Sequence, residues 1–554
     1  MDRRTLLKAS AALSALGLSV RSAFAGAGQQ SGEGDGVAVA LDEQSTSFDY
    51  DWLKSHAREL AGSAWQDTTQ QLPDTLTLNN LDPREYSAIS YAQNHALWSD
   101  LARGDLQVQF FHVGMQFNQP VRMYSLVEGQ ARQIHFLPEL FTYGDSGVDV
   151  SQLEGHDLGF AGWRVSKRPD FSAYANIVAF LGATYFRAID SGDQFGLSAR
   201  GLSINTAVSP QHGPEEFPYF RAFWFEQPAA HSTRMTVYAL LDSQSATGAY
   251  RFDIDMQQGR VVMGIDVNVY PREPIERLGI APMTSMFLTG TSQRMRRDTI
   301  VPLIHDSDRL SIWTAEGEWI CRPLYNPETL QYNIFRDHNP RGFGLVQDDH
   351  EFANYRDPVN YYSARPSLWC EPTNDWGEGG IVLLELPTLG ETVDNIGAFW
   401  QPSQPVEAGQ ALHYSYNLYW SPRPPVKPSL GQVDKTWSGM GAVRDGWIPG
   451  EHNPETWAKR FAIDFRGEPI ASMPDDADIG AVISASRGET QLVSVTRLRA
   501  PLNMWRAQFD WYPQSDSVEP VTLRLYLQQG DQTLSETWLY QFVPPAPANR
   551  NWNG

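Results

Sequence analysis

The sequence predicts an all-β protein made of two sandwiches, a large one followed by a small one. Runs such as "RMTVYALLDS" and "RVVMGIDVNVY" recur from about Leu106 onward and are rich in Val, Tyr, Phe and Ile. Their alternation of apolar and polar residues is typical of strands that bury one face. No long helical pattern interrupts these runs, and a proline-rich stretch divides them into two groups. This pattern predicts antiparallel β-sandwiches with large sheets and few short helices.

Residues 1–25 are predicted to be an export signal and not part of the fold. Paired Arg3 and Arg4 precede a short apolar run at 9–20, which is too short to span a bilayer. Residues 23–25 read Ala-Phe-Ala, a small-residue cleavage pattern. Twin arginines followed by Thr-Leu-Leu-Lys are typical of a Tat signal, and an ordinary secretory signal is the alternative. We therefore expect a periplasmic protein exported by the Tat pathway, without membrane insertion.

Residues 26–45 are rich in Gly, Gln and acidic residues and are predicted to be a flexible tether. Two short helices should follow, at the start of the large sandwich domain, residues 46–421. The first, in "DYDWLKSHARELAG", has one helical stripe made of Trp52, Leu53, His56, Ala57 and Leu60. The second, in "LDPREYSAISYAQ", has Asp82 as its N-cap and Pro83 at its first position.

A proline-rich linker is predicted at residues 422–433. The stretch "SPRPPVKPSLG" cannot continue a central strand or a helix, because proline lacks the N–H that both require. Residues 434–546 then hold about seven strand candidates, among them "RFAIDF", "WRAQFDWY" and "VTLRLYLQQ". This number of short strands in such a length is typical of an immunoglobulin-like sandwich.

Composition and charge narrow the function classes. The formal net charge of −22 argues against a nucleic-acid partner, since phosphates are bound by Lys and Arg, and against docking on an anionic membrane. A neutral polysaccharide is not repelled, and the 18 Trp and 22 Tyr suit both β cores and stacking on sugars. Cys321 and Cys370 are too few for a disulfide framework; they form either one bridge or two buried thiols.

Three short motifs resemble known catalytic or metal-binding sites, but each of them is incomplete. "YGDSGVDV" resembles the nucleophile segment of trypsin-like proteases, but its residues are better explained as a turn. "DDHEFAN" lacks the second histidine of a zinc protease. His305, Asp306 and Asp308 in "LIHDSDRL" have ligand chemistry, yet no His/Cys cluster supports a closed metal site. We therefore expect neither a metal nor a cofactor.

Two carboxylates remain, in "ELPTLGETVDNIGAFW" between two strand-like runs. Hydrolysis of a glycosidic bond needs one acid that protonates the leaving oxygen and, in the inverting case, a second carboxylate that activates water. Glu391 could supply a like charge that raises the pKa of Asp394, and Asp306 could supply the base from another strand. The alternative for Glu391 and Asp394 is that they only cap a turn.

Several long segments resemble the periplasmic glucans biosynthesis proteins, the D and G pair of the osmoregulated glucan system. The similar segments extend over residues 46–545 and include "DLGFAGWRV", "FLGATYFRA", "RLGIAPMTSMF", "HDSDRLSIW", "NPRGFGLVQ", "WGEGGIVLLELPT" and "ETVDNIGAFW". The twin-arginine start favours the D branch of this family.

The resemblance implies a galactose-mutarotase-like large sandwich, an immunoglobulin-like small one and activity on the β-1,2-glucan backbone as an inverting endo-β-1,2-glucanase. It implies that Asp394 is the general acid, that Glu391 supports it, and that Asp306 is the base, acting through water and a substrate hydroxyl. It implies that Tyr362 lines the substrate cleft, with Arg365, Trp369 and Trp376 as further lining candidates. Relatives suggest a homodimer.

Other functions stay open on the sequence. An inverting transglycosylase that cyclises β-1,2-glucan would use the same acid as a hydrolase. A non-catalytic protein that binds glucan and controls its backbone structure belongs to a different class. A mutarotase-like epimerase rests on analogy of fold alone, which does not determine function.

Overall fold

The computed structural model describes residues 39, 41–99, 106–167, 175–207, 215–229, 231–296, 299–441 and 457–550. The predicted signal, residues 1–25, and most of the predicted tether lie outside the described residues. In the described part strands dominate, and there are three α-helices: α1 Tyr50–Ala61, α2 Pro83–Ala88 and α3 Phe352–Tyr355. The all-β prediction with few short helices is confirmed.

The first two helices begin where the sequence predicted, because side chains satisfy their free N–H groups. Asp49 accepts a hydrogen bond from the Trp52 N–H at the start of α1, and the helix buries Leu53 and Ala57. Asp82 and Glu85 form a reciprocal capping box at α2, with Pro83 as the first helical residue. Short 3₁₀ helices also occur, at Asp74–Leu76, Gln93–His95, Pro138–Leu140, Val150–Leu153, Thr291–Arg296, Tyr362–Ala364, Ile470–Ser472 and Pro547–Asn549.

The strands of the N-terminal unit are numbered in chain order. They are β1 Thr46–Ser47, β2 Ser90–Tyr91, β3 Leu106–Phe111, β4 Arg122–Val127, β5 Gln130–Ile134, β6 Phe141–Thr142, β7 Gly162–Lys167, β8 Ala175–Leu181, β9 Tyr185–Ala188, β10 Ser198–Arg200, β11 Ser203–Ile204, β12 Tyr219–Glu226 and β13 Arg234–Asp242. They continue with β14 Ala246–Gln257, β15 Arg260–Pro271, β16 Leu278–Ser285, β17 Phe287–Thr289, β18 Ile304–His305, β19 Arg309–Trp313, β20 Trp319–Pro323, β21 Gln331–His338, β22 Gly342–Val346, β23 Ser367–Pro372, β24 Glu378–Glu385, β25 Ile396–Pro402 and β26 Leu412–Ser421.

Two large sheets form this unit. One has the order β1-β5-β4-β12-β13-β14-β15-β26-β23-β22-β19-β20, and the other the order β21-β24-β25-β16-β10-β9-β8-β7-β3, with β11 paired to β16. Aromatic rings of the two sheets meet in one core: Phe186 lies 5.8 Å from Trp420, and Phe180 lies 5.2 Å from Phe252, between ring centroids. The unit is therefore a β-sandwich.

The C-terminal unit follows the proline-rich stretch. Its strands are β27 Gln432–Met440, β28 Lys459–Arg466, β29 Gly480–Ala485, β30 Glu489–Leu498, β31 Met504–Tyr512, β32 Val521–Gln529, β33 Gln532–Thr533 and β34 Thr537–Phe542. One sheet has the order β27-β28-β31-β30, and β34, β32 and β29 lie in the other. β27 begins inside the predicted linker, 422–433, and β34 ends four residues before 546.

The two units share a sheet. β34 pairs in parallel with β20, through Ile320 opposite Thr537 and Cys321 opposite Trp538, so the first sheet of the large sandwich continues into the small one. Cys321 belongs to the core of the C-terminal unit and Cys370 to the core of the large sandwich. Both are buried free thiols, so they do not form a bridge.

Candidate functional site

The loop between β24 and β25 carries Asp394, and two buried asparagines fix its ends. Asn395 donates from Nδ2 to the carbonyl oxygens of Phe287, at 3.0 Å, and Leu386, at 2.9 Å. Its Oδ1 accepts from the Phe287 N–H at 2.8 Å. At the other end, Asn326 donates to the Thr388 carbonyl oxygen at 2.9 Å and accepts from the Thr388 N–H at 3.0 Å. Asp394 therefore projects from a loop with a defined position.

The surroundings of Asp394 favour its protonated form. The side chain is half-buried, and its burial, followed by the negative charge of Asp306, raises its pKa to about 6. The positive charges of Arg187 and Arg365 act in the opposite direction. A carboxylic acid with a pKa in this range can hold a proton near neutral pH and also release it, as a general acid must.

Asp306 lies directly after β18 and is buried. Its backbone N–H donates to the Met286 carbonyl oxygen at 2.8 Å, and its carboxylate forms an ion pair with the Arg365 guanidinium. Arg365 lies over the Tyr362 ring, 4.3 Å from its centroid, and donates to the Asn360 carbonyl oxygen at 3.4 Å. The ion pair with Arg365 therefore holds the Asp306 side chain in a fixed orientation.

Tyr362 connects this pair to Glu391. Its hydroxyl donates to Glu391 Oε2 at 2.7 Å, and burial raises the pKa of the tyrosine. Behind it, Gln347 Nε2 donates to the Tyr362 carbonyl oxygen at 3.1 Å and to the Tyr355 hydroxyl at 2.8 Å. Gln347 Oε1 lies 3.1 Å from His305 Nδ1. This network fixes the 3₁₀ turn of Tyr362 relative to the segment that carries Asp306.

The structure thus brings five predicted site residues into one cluster, the acid cluster: Asp306, Tyr362, Arg365, Glu391 and Asp394. It does not bring the two predicted tryptophans to this cluster. Trp369 has no exposed surface and stacks on Trp319, at 5.7 Å between ring centroids. Trp376 is 5% exposed and lies among the rings of Trp400, Tyr414 and Tyr416.

A ring with almost no exposed face cannot stack on a sugar, so the structure assigns both tryptophans to packing of the core. Their sequence surroundings did not reveal this, because an aromatic residue in a strand can face either the core or a cleft.

Arg187, on β9, was not among the site residues predicted from the sequence. Its guanidinium is buried and lies 4.7 Å from the Phe195 ring centroid. Its positive charge acts to lower the pKa of Asp394. The available signal was an arginine within "YFRA", a short run that is otherwise rich in aromatic and apolar residues.

The residues with ligand chemistry in "LIHDSDRL" each have other partners, and His305 Nε2 also lies 3.5 Å from Asp308 Oδ1. Asp306 pairs with Arg365, His305 contacts Gln347, and Asp308 accepts from the backbone N–H groups of Asp348 and Asp349 at 2.7 and 3.1 Å. Within the part of the chain that the structure describes, no group of three or more His, Cys, Asp or Glu side chains is arranged to hold a metal ion.

Comparison with known proteins gives a family for this arrangement. A family model described as "Periplasmic glucan biosynthesis protein, MdoG" matches residues 48–542. The chain belongs to the periplasmic glucan biosynthesis protein family. The predicted resemblance is confirmed, and the protein takes part in periplasmic glucan biosynthesis. No helix among the described residues combines the length and the apolar character that a membrane crossing requires.

Relatives in the periplasmic glucan biosynthesis protein family are similar over their whole length. "Glucans biosynthesis protein D" of Pseudomonas fluorescens (strain Pf0-1) is 55% identical, with 100% of each chain covered. The protein of that name from Pseudomonas syringae pv. syringae (strain B728a) is 52% identical, again over 100% of both chains. That from Cronobacter sakazakii (strain ATCC BAA-894) is 49% identical over 100% of this chain and 99% of the relative.

Proposed function

We propose that this protein is an inverting endo-β-1,2-glucanase, exported to the periplasm by the Tat pathway. The observation that carries the proposal is the pairing of two acids with different surroundings. Burial and the charge of Asp306 raise the pKa of Asp394 to about 6, whereas Asp306 itself forms an ion pair with Arg365. Inverting hydrolysis requires one carboxyl group that donates a proton and one that accepts a proton.

The two acids have separate roles in the reaction. Asp394 gives its proton to the oxygen between two glucosyl residues as the bond from that oxygen to the anomeric carbon breaks. A water molecule forms the new bond on the opposite face of the sugar. Its proton passes, through a substrate hydroxyl and a further water, to Asp306. Exchange with solvent then returns the proton to Asp394 and removes it from Asp306.

The neighbouring residues orient these acids and stabilise charge. Arg187 and Arg365 stabilise the carboxylate that Asp394 becomes, since both act to lower its pKa. Tyr362 holds Glu391 by the 2.7 Å hydrogen bond and packs beneath Arg365. Glu391 is exposed at the loop and is available to accept from sugar hydroxyls. The substrate class follows from the family, whose relatives are named for glucan biosynthesis.

Incubation with purified linear β-1,2-glucan tests the proposal. Mass spectrometry should show shorter linear chains, and NMR of the first products should show reducing ends with the anomeric configuration inverted. Dehydrated rings would identify a cyclising transglycosylase, in which a glucan hydroxyl replaces water. Saturable binding without new reducing ends would identify a non-catalytic glucan-binding protein. Either of the last two results would contradict the proposed hydrolase activity.

A further inference from the structure

A small cavity lies beside Asp394, on the β10, β16 and β25 strands of the second sheet. It measures about 60 Å³. Its polar lining includes Arg200, Ser203, Thr206, Glu215 and Thr284. Its apolar lining includes Met283, Leu384 and Phe399. The acid cluster does not use any of these side chains.

Several polar atoms around this cavity lack hydrogen-bond partners. They are Nε and Nη2 of Arg200, Oγ of Ser203 and Oγ1 of Thr284, all sealed from bulk solvent. A buried polar atom without a partner destabilises a protein, so such atoms are rare and call for an explanation. Their concentration around one cavity next to the proposed acid indicates that a polar group from a bound molecule completes the site.

The charge at the cavity is balanced. Arg200 is 4% exposed and lies between two rings, 5.1 Å from the centroid of Tyr185 and 4.9 Å from that of Phe217. Its Nη1 donates to Glu215 at 3.0 Å, and Thr206 donates to the same oxygen of Glu215 at 3.0 Å. Because Glu215 neutralises the guanidinium, the cavity favours a neutral hydroxyl over an anion.

The volume limits the size of that group. A cavity of roughly 150 Å³ takes a benzene ring. One of about 60 Å³ therefore takes an arm of a few heavy atoms and excludes a pyranose ring. A carbon with one hydroxyl matches the lining, since the carbon can pack on Met283, Leu384 and Phe399 while the hydroxyl meets the polar side.

We propose that this cavity is a substrate subsite that takes the hydroxymethyl arm of a glucosyl residue next to the linkage protonated by Asp394. The inference rests on the proposed function, because it assumes a glucan in the cleft. Arg200, Ser203 and Thr284 then determine specificity for a hexose. A site built around a substrate hydroxyl rejects an analogue that lacks it, because its own polar groups are left unpaired.

Gly397 allows a test that leaves these polar groups in place. It lines the cavity opposite Leu384 on the neighbouring strand. A Cβ added there would lie 3.6 and 3.7 Å from Leu384 atoms and 4.0 Å from the Met283 carbonyl oxygen, which are ordinary contacts. Gly397→Leu should therefore fill the cavity. Gly439→Leu is the matched control, since it is also a strand glycine and has no atom within 4 Å of an added Cβ.

The experiment compares binding of two oligosaccharides by calorimetry, a β-1,2-linked gluco-oligosaccharide and a β-1,2-linked xylo-oligosaccharide, which lacks the hydroxymethyl arm. The wild type should prefer the glucan by about tenfold or more. Gly397→Leu should abolish that preference by weakening glucan binding alone, and Gly439→Leu should keep it. Thr284→Val, which removes one hydroxyl at constant shape, should reduce the preference.

Equal binding of the two oligosaccharides by the wild type would overturn the subsite, as would a parallel loss for both oligosaccharides in a folded Gly397→Leu protein. An unchanged preference in Gly397→Leu would also overturn it. The experiment measures binding and not cleavage. A wild-type protein that binds glucan without cleaving it would contradict the proposed hydrolase activity, but its binding preference would still test the proposed subsite.

Discussion

Among single residues, the proposed mechanism depends most on the environment of one carboxyl group, that of Asp394. Burial and the charge of Asp306 raise the pKa of Asp394, and Arg187 and Arg365 limit that rise. Without the arginines the pKa of Asp394 would be higher, and without burial it would lie closer to that of an ordinary aspartic acid. In the proposed mechanism, the balance of these four effects allows Asp394 to donate its proton.

The rate of glucan cleavage should depend on pH through the protonation of Asp394. Asp394 is protonated below a pKa of about 6 and ionised above it, so glucan cleavage should fall as the pH rises through about 6. Arg187→Met removes a charge that lowers this pKa, so the descending limb of the pH–rate profile should move to higher pH. Initial rates of reducing-end formation on both sides of pH 6 provide the measurement. A limb that moves to lower pH in the variant would contradict the assigned role of Arg187.

Some residues of the site could be predicted from the sequence, and others could not. The acids at 306, 391 and 394 stand out because carboxylates near turns are candidates for chemistry, and the family resemblance gave them roles. Arg187 lies 207 positions before Asp394 in the sequence, and only folding brings the two side chains together. The burial of Trp369 and Trp376 was equally invisible, since a strand pattern does not tell which layer covers an aromatic ring.

At the scale of elements, the loop from Leu386 to Asn395 is stabilised at its base and exposed at its tip. Asn395 makes three hydrogen bonds to the backbone of Phe287 and Leu386, whereas Leu389 at the tip is 95% exposed. The sequence showed a break between strands and two acids, but it did not show which residue holds the loop. The position of Asp394 is therefore set by its own neighbour, Asn395.

Asn395→Ala should destabilise the fold and impair cleavage together. The change leaves buried backbone groups of Phe287 and Leu386 without partners, which should cost about 3 kcal/mol of unfolding free energy. Urea denaturation and the rate of glucan cleavage measure the two effects. The stability and cleavage rate of Asn395→Asp should lie between those of the wild type and of Asn395→Ala, because the aspartate can still accept a hydrogen bond from the Phe287 N–H. Leu389→Ser, on the same loop, should leave stability unchanged; a loss as large as that of Asn395→Ala would refute the assigned role of Asn395.

At the scale of the whole molecule, the two sandwiches form one continuous structure. The parallel pairing of β20 with β34 extends one sheet through both units, and a buried ion pair lies near it. Arg309 Nη1 donates to Glu536 Oε1 at 2.9 Å, and the Val433 N–H donates to the same oxygen. The sequence predicted two sandwiches in the correct order. It could not predict their shared sheet, because the pairing of two distant strands leaves no local pattern.

Because of this shared sheet, the two units should unfold in a single calorimetric transition. Glu536→Ala removes one partner of a buried ion pair and should destabilise the whole protein by about 3 kcal/mol. Glu318→Gln is the control: Glu318 pairs with Arg524 across the same junction, but both side chains are about 40% exposed, so the effect should be small. Two separate transitions in the wild type, or a Glu536→Ala protein as stable as the Glu318→Gln protein, would show that the units are independent.

The predicted homodimer and Tat export also belong to this scale, and both stay predictions. Neither bears on how the acid cluster works, since all its residues come from one chain.

Cleavage of linear β-1,2-glucan by Asp394→Asn tests whether Asp394 is the general acid. The amide matches the carboxyl group in shape but cannot act as a general acid. The variant should therefore keep the circular dichroism spectrum and glucan affinity of the wild type, while its rate of reducing-end formation falls by roughly 10²–10⁴-fold. A folded Asp394→Asn protein that shortens the glucan at the wild-type rate would contradict the account.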